Sequence, residues 1–125
     1  MGTAIEDALR RDFTINALFY NLNLRTIEDL TGMGLSDLHR KIIRTPISAF
    51  TTFEDDPLRV LRAIRFSSRL CFALDEELLQ AAQTPAIHSA LMTKISRERI
   101  YKECEGMMLH THSARPCLAF IMMHR

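Results

Sequence analysis

Arginines recur at helical spacing just after an acidic pair in the middle of the chain. The pair is Asp55 and Asp56, and the arginines are Arg59, Arg62, Arg65 and Arg69. At about 100° per residue, these guanidinium groups fall on one side of a helix. Such a charged face is usually a solvated surface, but it can also be a site for an acidic partner. The presence of arginine without lysine favours a partner, because the planar guanidinium matches phosphates and base edges.

The element that must position these arginines is predicted to be a helix that begins at the acidic pair and ends near Leu70. Carboxylates suit the positive end of a helix, and Pro57 suits the first turn, where a missing N–H costs nothing. Asp55 lies one turn before Arg59 and is expected to pair with it. The opposite face is apolar and is expected to enter the core; it consists of Val60, Ala63, Ile64, Leu70 and Cys71.

A second charged stretch, Arg10-Arg11-Asp12, precedes an apolar segment from Phe13 to Tyr20. Apolar residues of this segment recur at helical spacing, which predicts a largely buried helix. Asn16 would then be an amide within an apolar helix, where it needs hydrogen-bond partners. Its simplest interpretation is a core amide whose hydrogen bonds are satisfied. The charged triplet alone is a common surface pattern.

The remaining segments predict short strands in the first third of the chain and helices in the rest. Before Pro46, the patterns predict a strand at residues 26–30, a turn at 31–34, a helix at 36–41 capped by Ser36, and a strand at 42–45. After the central helix, they predict helices at residues 75–83, 85–93, 96–109 and 114–123. The last helix is apolar on all sides, so another element should cover it.

Composition describes an ordinary globular protein. The chain has 125 residues, 47% of them hydrophobic, and a net charge of +1, so a nucleic-acid partner cannot be argued from bulk charge. The 3 cysteines lack C-x-x-C spacing, which argues against a disulfide framework or zinc site and favours a reducing compartment. His110 and His112 would point apart on a helix, so they are not expected to bind metal. The sequence has no apolar run of membrane-spanning length and no signal-peptide pattern.

Taken in order, several stretches resemble motifs of the class II tRNA nucleotidyltransferase and poly(A) polymerase family, the CCA-adding enzymes. Arg10–Ala17 resembles the motif R-R-D-x-x-x-N-A, and Gly34–Leu38 with the following Ile43-Arg44-Thr45 is similar to a G-x-x-D-L segment. Asp55–Arg59 matches the motif [E/D]-D-x-x-R, and Ile95–Ile100 resembles an I-S-x-E-R-I helix start. Each motif alone would be weak, but their order at family spacing makes the resemblance specific.

The resemblance implies an α+β fold that is mostly α. Residues 1–46 would be the C-terminal part of a nucleotidyltransferase palm, or head, domain with short strands. Residues 47–125 would be a helical neck domain that binds RNA and nucleotide. The implied substrates are CTP and ATP, the implied partner is the tRNA 3′ end, and the implied location is intracellular, without a membrane. CC-, A- and CCA-adding members share these motifs.

The resemblance also implies roles for the charged residues. Arg11 would contact the triphosphate, Asp12 and Asn16 would arrange the ribose and local backbone, and Arg10 would support them. Asp56 and Arg59, next to Asp55 of the same motif, would read the base edge of CTP or ATP in place of a nucleic-acid template. Arg62 and Arg65 would reach the nucleotide and its phosphates.

The family's transfer step uses Mg²⁺ held by an Asp-x-Asp pair that precedes the R-R-D motif. Only nine residues precede Arg10, and they contain no such pair and no glycine-rich loop. Glu6 and Asp7 are adjacent, so they would make poor joint ligands. We therefore expect a chain with the nucleotide-reading part but without catalytic metal ligands, inactive alone and completed by a separate palm segment. The alternative is a non-catalytic helical module that binds RNA, nucleotide or a partner subunit.

Overall fold

Helices dominate the architecture, and the strands are few and short. The computed structural model describes residues 2–109 and 114–124, and helix makes up 61% of it, which confirms the predicted α+β, mostly α fold class. The helices are α1 (Ala4–Leu9), α2 (Gly34–Arg40), α3 (Ala49–Asp55), α4 (Leu58–Leu70), α5 (Glu76–Ala82), α6 (Pro85–Lys94), α7 (Arg97–Met108) and α8 (Pro116–Met123). The strands are β1 (Leu18–Asn21), β2 (Thr26–Asp29), β3 (Ile42–Ile43) and β4 (Ala73–Leu74).

The segment from Phe13 to Tyr20 is not the helix that its periodicity predicts. A short 3-10 turn at Thr14–Asn16 leads into β1, which pairs antiparallel with β2. The carboxylate of Asp12 accepts the Phe13 amide at 2.9 Å and so competes with helix formation at its start. The prediction failed because a short apolar run fits both a helical and a strand period, and the pairing with β2 decides between them.

Helix α2 begins earlier than predicted, and Ser36 is not its cap. The carboxylate of Asp29, at the end of β2, accepts the Leu35 amide at 3.0 Å and takes over the capping role. Gly34 is required here by close packing, because a Cβ atom would lie 2.7 Å from the carbonyl oxygen of Thr14. Burial alone would raise the pKa of Asp29, but hydrogen bonds from the Leu35 backbone and the Thr31 side chain outweigh it and lower the pKa.

The central helix α4 follows a helix that the sequence patterns did not predict. Asp55 is the last residue of α3 rather than the start of α4, so that part of the prediction is wrong. Helix α4 starts at Leu58, whose amide donates to Asp56 Oδ1 at 3.3 Å, and it ends at Leu70 as expected. At its end Cys71 adopts a left-handed conformation with φ of 56°.

The core surrounds α4, which packs against α3, α7, α8 and β3. Val60, Ala63 and Ile64 are buried as predicted. Leu70 is 44% exposed and Cys71 is also exposed, so these two assignments to the core face are wrong. Both residues lie where α4 ends, at Leu70 and the left-handed Cys71. Fully buried side chains from the other segments complete the core: Phe13, Ile43, Phe53, Leu78, Ile87 and Met107.

The helices predicted after α4 are confirmed, with small shifts at their ends. Ser96 caps α7 by accepting the Arg99 amide at 3.3 Å. Among the described residues, α4 and α7 cover one side of α8 and bury Ala119, whereas Phe120 and Ile121 are 60% and 61% exposed, so the predicted cover over this helix is only partial. His110 and His112 lie outside the described residues. Within the described part of the chain, no helix has both the length and the apolar character needed to cross a membrane.

Candidate functional site

A cleft of about 610 Å³ opens at the N-terminal end of α4, between the turn after α1 and the start of α7. Its lining joins residues from three separate charged stretches: Asp7, Arg11, Asp12, Asn16, Asp56, Leu58, Arg59, Arg62, Phe66 and Arg99. Most of the residues singled out from the sequence meet here, whereas Arg10, Asp55 and Arg65 do not line the cleft. Charged groups that lie about 50 positions apart in the sequence therefore line one cleft.

Asp7 holds the two neighbouring arginines at one edge of the cleft. Its carboxylate accepts Arg10 Nε at 2.7 Å and Arg11 Nη2 at 2.8 Å. The hydrogen bond from Arg11, followed by that from Arg10, lowers the pKa of Asp7. Arg11 also lies over the ring of Phe19, 5.0 Å from its centroid, which keeps the guanidinium at the cleft. Arg11 remains 43% exposed, so part of its charge faces solvent.

Asp12 is buried, and both of its carboxylate oxygens accept hydrogen bonds from protein groups. One oxygen accepts the Phe13 amide at 2.9 Å and Asn16 Nδ2 at 3.1 Å. The other accepts Arg62 Nη2 at 2.6 Å and Nε at 2.9 Å. Asn16 is therefore a half-buried amide at the end of a 3-10 turn, with Asp12 as its partner, rather than an amide inside an apolar helix. Asp12 ties the N-terminal turn to α4.

The second half of the arginine face is neutralised inside the protein. Glu103 of α7 is buried and accepts Arg65 Nε at 2.5 Å, and its other oxygen lies 3.4 Å from Arg62 Nη1. Burial would lower the pKa of Arg62, but the hydrogen bond and charge of Asp12 and the charge of Glu103 outweigh it and raise the pKa. The solvated surface suggested by the sequence is therefore not what is found for Arg65, whose side chain is only 15% exposed.

Arg59 does not form the predicted pair with Asp55. Its Nη2 donates to the carbonyl of Arg10 at 2.9 Å, and its Nη1 donates to the carbonyl of Thr52 at 3.3 Å. The prediction assumed that both residues belong to one helix, whereas Asp55 ends α3 and is exposed. Backbone carbonyls hold Arg59 without neutralising its charge, so the guanidinium stays cationic at the cleft.

Asp56 supplies an acceptor on the same side of the cleft. Its Oδ1 accepts the Leu58 amide at 3.3 Å, and its Oδ2 accepts Arg99 Nη2 at 2.9 Å. Each carboxylate oxygen can accept more than one hydrogen bond, so acceptor capacity remains. The cleft thus offers a carboxylate acceptor and guanidinium donors together, which is what recognition of a polar ring edge requires.

Sequence reasoning missed Asp7 and Arg99 as lining residues. Arg99 lies in the stretch Ile95–Ile100, which had drawn notice only as a helix start. A positive residue at the first turn of a helix is unfavourable to the helix dipole, and this was the signal that could have pointed to a separate role.

The Gly34–Leu38 stretch contributes a buried cluster away from the cleft. Asp37 is 1% exposed and accepts Thr14 Oγ1 at 2.7 Å. Arg44 lies beside it, with Nε 3.8 Å from Asp37, and its Nη2 is 3.3 Å from Asp75. This cluster links the first strands to the helices, so its contribution to the site is indirect.

The described residues do not fit a catalytic metal. Across residues 2–109 and 114–124, no group of three or more His, Cys, Asp or Glu side chains is placed to hold a metal ion. Asp7 is bound by arginines, and Glu6 caps α1 by accepting the Thr3 amide at 2.7 Å. The cleft therefore offers charged groups that could contact a ligand, and none of the described residues is placed to hold a metal ion.

The family model "Poly A polymerase head domain" matches residues 1–44. The chain is 54% identical over 114 residues to "tRNA nucleotidyltransferase cca1" of Schizosaccharomyces pombe, a match that covers 91% of this chain and 23% of that protein. It resembles the crystal structure of the Bacillus stearothermophilus CCA-adding enzyme in complex with CTP, with a TM-score of 0.76 and 40% identity over 85% of this chain and 26% of that one.

A tRNA nucleotidyltransferase solved with a primer tRNA and an incoming ATP analog is also similar, with a TM-score of 0.79 and 32% identity, covering 98% of this chain and 34% of that one. The chain spans about a quarter of the length of the curated relatives that it matches.

Proposed function

Because the chain belongs to the tRNA nucleotidyltransferase and poly(A) polymerase family, we propose that it is the part of such an enzyme that binds nucleotide and the tRNA 3′ end. The intact enzyme would add C, A or both to tRNA inside the cell, using CTP and ATP. Residues 1–46 would belong to the palm, or head, domain and residues 47–125 to the helical neck. The family match over residues 1–44 agrees with this division.

The observation that carries the proposal is the meeting of Asp56 and Arg59 in one cleft. The amino group of cytosine or adenine would donate to the Asp56 carboxylate, and the neighbouring ring nitrogen would accept from Arg59. Uracil and guanine present the opposite groups at these positions. An unpaired buried polar group costs about 1–3 kcal/mol, so discrimination of about 5- to 150-fold is expected.

Arg11 is the group that we propose for the triphosphate. It lies at the same cleft and retains exposed surface, unlike Arg65, which Glu103 occupies. Asp12 and Asn16 are proposed to shape the wall on which the ribose rests, since each is already hydrogen-bonded to the other. Arg10 would support them through Asp7, and Arg62 would present its charge from beside Asp12. Asp55 and Arg65 would act on the nucleotide only indirectly.

Nucleotidyl transfer in the family depends on Mg²⁺, and the described residues offer no suitable donor set. We therefore propose that a palm segment carrying an acidic pair completes the catalytic centre. The same observation favours a second candidate function, a non-catalytic module that selects a nucleotide or RNA end for a partner. Adding a palm-containing polypeptide to the chain with tRNA and labelled CTP separates the two, because only the first yields incorporation.

The test of nucleotide reading is a calorimetric titration of the chain with CTP, ATP and UTP. We expect CTP and ATP to bind at least about fivefold more tightly than UTP. Asp56→Ala and Arg59→Ala should each abolish this preference. Glu54→Ala and Arg40→Ala are matched controls, since both residues are exposed and do not line the cleft. Equal binding of all three nucleotides by the wild-type chain would contradict the proposal.

A further inference from the structure

We propose that Arg99 is a positioning residue that sets base selectivity by fixing the carboxylate of Asp56. This inference rests on the proposed function, because it concerns the group that would read the base. Arg99 Nη2 donates to Asp56 Oδ2 at 2.9 Å across 43 positions of sequence. No motif role had been assigned to Arg99 beyond the start of α7.

Asp56 needs an external restraint because its own backbone provides little. The residue lies between α3 and α4 in an extended conformation, with φ of −144° and ψ of 95°. Its carboxylate is held at Oδ1 by the Leu58 amide at 3.3 Å and at Oδ2 by Arg99 at 2.9 Å. The contact to Arg99 is shorter and charge-assisted, so it is the stronger of the two. Together the two contacts fix the carboxylate plane.

Arg99 can act as a restraint because its own position is fixed. Its amide donates to the capping side chain of Ser96 at 3.3 Å, which sets the first turn of α7. One turn later, Glu103 accepts Arg65 Nε at 2.5 Å and anchors α7 to α4. The start of α7 therefore cannot slide along α4 without breaking a half-buried ion pair.

The Arg99–Asp56 pair is too exposed to be explained by stability. The two side chains are 50% and 27% exposed, and ion pairs at such positions contribute little to folding. Its effect should instead be local, since a fixed carboxylate leaves its free lone pairs in one orientation towards the cleft. A carboxylate free to rotate could turn away from a uracil carbonyl, and the mismatch with that base would then cost less.

The experiment compares the full chain with Arg99→Ala, Arg99→Lys and Arg97→Ala by calorimetry with CTP, ATP and UTP. Arg97 is the matched control, because it is exposed and lies two positions earlier on α7. Its replacement by alanine removes the same charge. We expect Arg99→Ala to lower the CTP to UTP affinity ratio from at least about fivefold to close to 1, with an intermediate ratio for Arg99→Lys and no change for Arg97→Ala. Equal weakening of all three nucleotides would overturn the inference, because it would indicate a contact with phosphate.

A second measurement tests the restraint without nucleotide. Side-chain couplings of Asp56, measured by NMR, should report one rotamer in the wild-type chain and in Arg97→Ala, and averaged rotamers in Arg99→Ala. One rotamer in Arg99→Ala would overturn the inference. A wild-type chain that binds all nucleotides equally contradicts the proposed function itself. A wild-type chain that selects, together with an Arg99→Ala variant that selects equally well, contradicts only the role of Arg99.

Discussion

Two buried carboxylates determine where two arginines of α4, Arg62 and Arg65, point. The Asp12 carboxylate accepts hydrogen bonds from Nε and Nη2 of Arg62. The Glu103 carboxylate accepts Nε of Arg65 and lies 3.4 Å from Nη1 of Arg62. Arginine side chains are long and otherwise free to choose among several directions. Because these acids come from segments before and after α4, the helix is held from both sides, and Arg59 remains available at the cleft.

Removal of Glu103 should therefore cost more than removal of an exposed glutamate from the same helix. Glu103→Ala leaves Arg65 without its carboxylate acceptor and Arg62 with Asp12 alone, so we expect the free energy of unfolding to fall by about 1–3 kcal/mol. Glu98→Ala is the matched control, because Glu98 is 76% exposed and its ion pair among the described residues is with the exposed Lys102, at 3.1 Å. Urea denaturation of the two variants gives the comparison, and equal losses would contradict the anchoring role of Glu103.

For individual residues, the sequence indicated which charged side chains are important but not which of them form ion pairs. Asp12 and Arg62 were each selected, yet nothing in either stretch indicates that they bind each other across 50 positions. The pairing of Asp55 with Arg59 was predicted from helical spacing and is wrong, because a helix boundary separates them. Glu103 was not selected, since a lone glutamate on an amphipathic helix carries no signal of burial.

Helices that carry start signals in their own sequence were predicted correctly. Elements that are determined by residues elsewhere in the chain, such as β1 and the start of α2, were not. Helices α4 to α7 combine an apolar period with a proline, serine or aspartate at the start, and their positions are confirmed. Helix α3 also follows a serine, Ser48, yet it was not predicted from the sequence. Strand β1 was mistaken for a helix because only its pairing with β2 identifies it, and the start of α2 was misplaced because its cap comes from Asp29 rather than Ser36.

Asp29 should consequently make α2 sensitive to acid. Its pKa is lowered in the folded chain from a value near 3.8, so the folded state binds this proton less readily than the unfolded state. The stabilisation is fully present above about pH 4 and is lost as the pH falls through the lower, folded-state pKa. Asp29→Ala should lower the free energy of unfolding at pH 7 by about 1 kcal/mol.

The measurement is thermal or urea unfolding of the wild-type chain, Asp29→Ala and Ser36→Ala from pH 7 to pH 3. The difference in free energy of unfolding between the wild type and Asp29→Ala should become smaller below about pH 4. Ser36→Ala should follow the wild type at every pH, because Ser36 is exposed and does not cap the helix. If Ser36→Ala lowered the free energy of unfolding more than Asp29→Ala, Ser36 would be the cap of α2, as the sequence predicted.

Across the whole molecule, local stability should differ between the central helix and the hairpin. Helix α4 packs against α3, α7, α8 and β3, and much of the core belongs to it. The β1–β2 hairpin has two strands, and Tyr20, Leu22, Leu24 and Ile27 in and around it are all more than half exposed. Two-stranded hairpins are marginally stable in water, so the hairpin depends on the rest of the fold.

Hydrogen exchange followed by mass spectrometry should display this difference directly. Peptides from residues 58–70 are expected to exchange slowest, with protection close to that of global unfolding. Peptides from residues 18–29 should exchange at least about tenfold faster, because the hairpin can open without disturbing α4. Equal protection in the two segments would show that hairpin and helix open as one unit.

The ties between the N-terminal turn and α4 also have a consequence for the order of folding. Arg59 reaches the Arg10 carbonyl across 49 positions, and Arg62 reaches Asp12 across 50. A loop of that length closes at an entropic cost that local helices do not pay, and such contacts form late. During refolding, helical signal should therefore return before the proposed nucleotide binding does. The cleft forms only when folding is complete, because it is absent while the helices have formed but the N-terminal turn has not yet packed against α4.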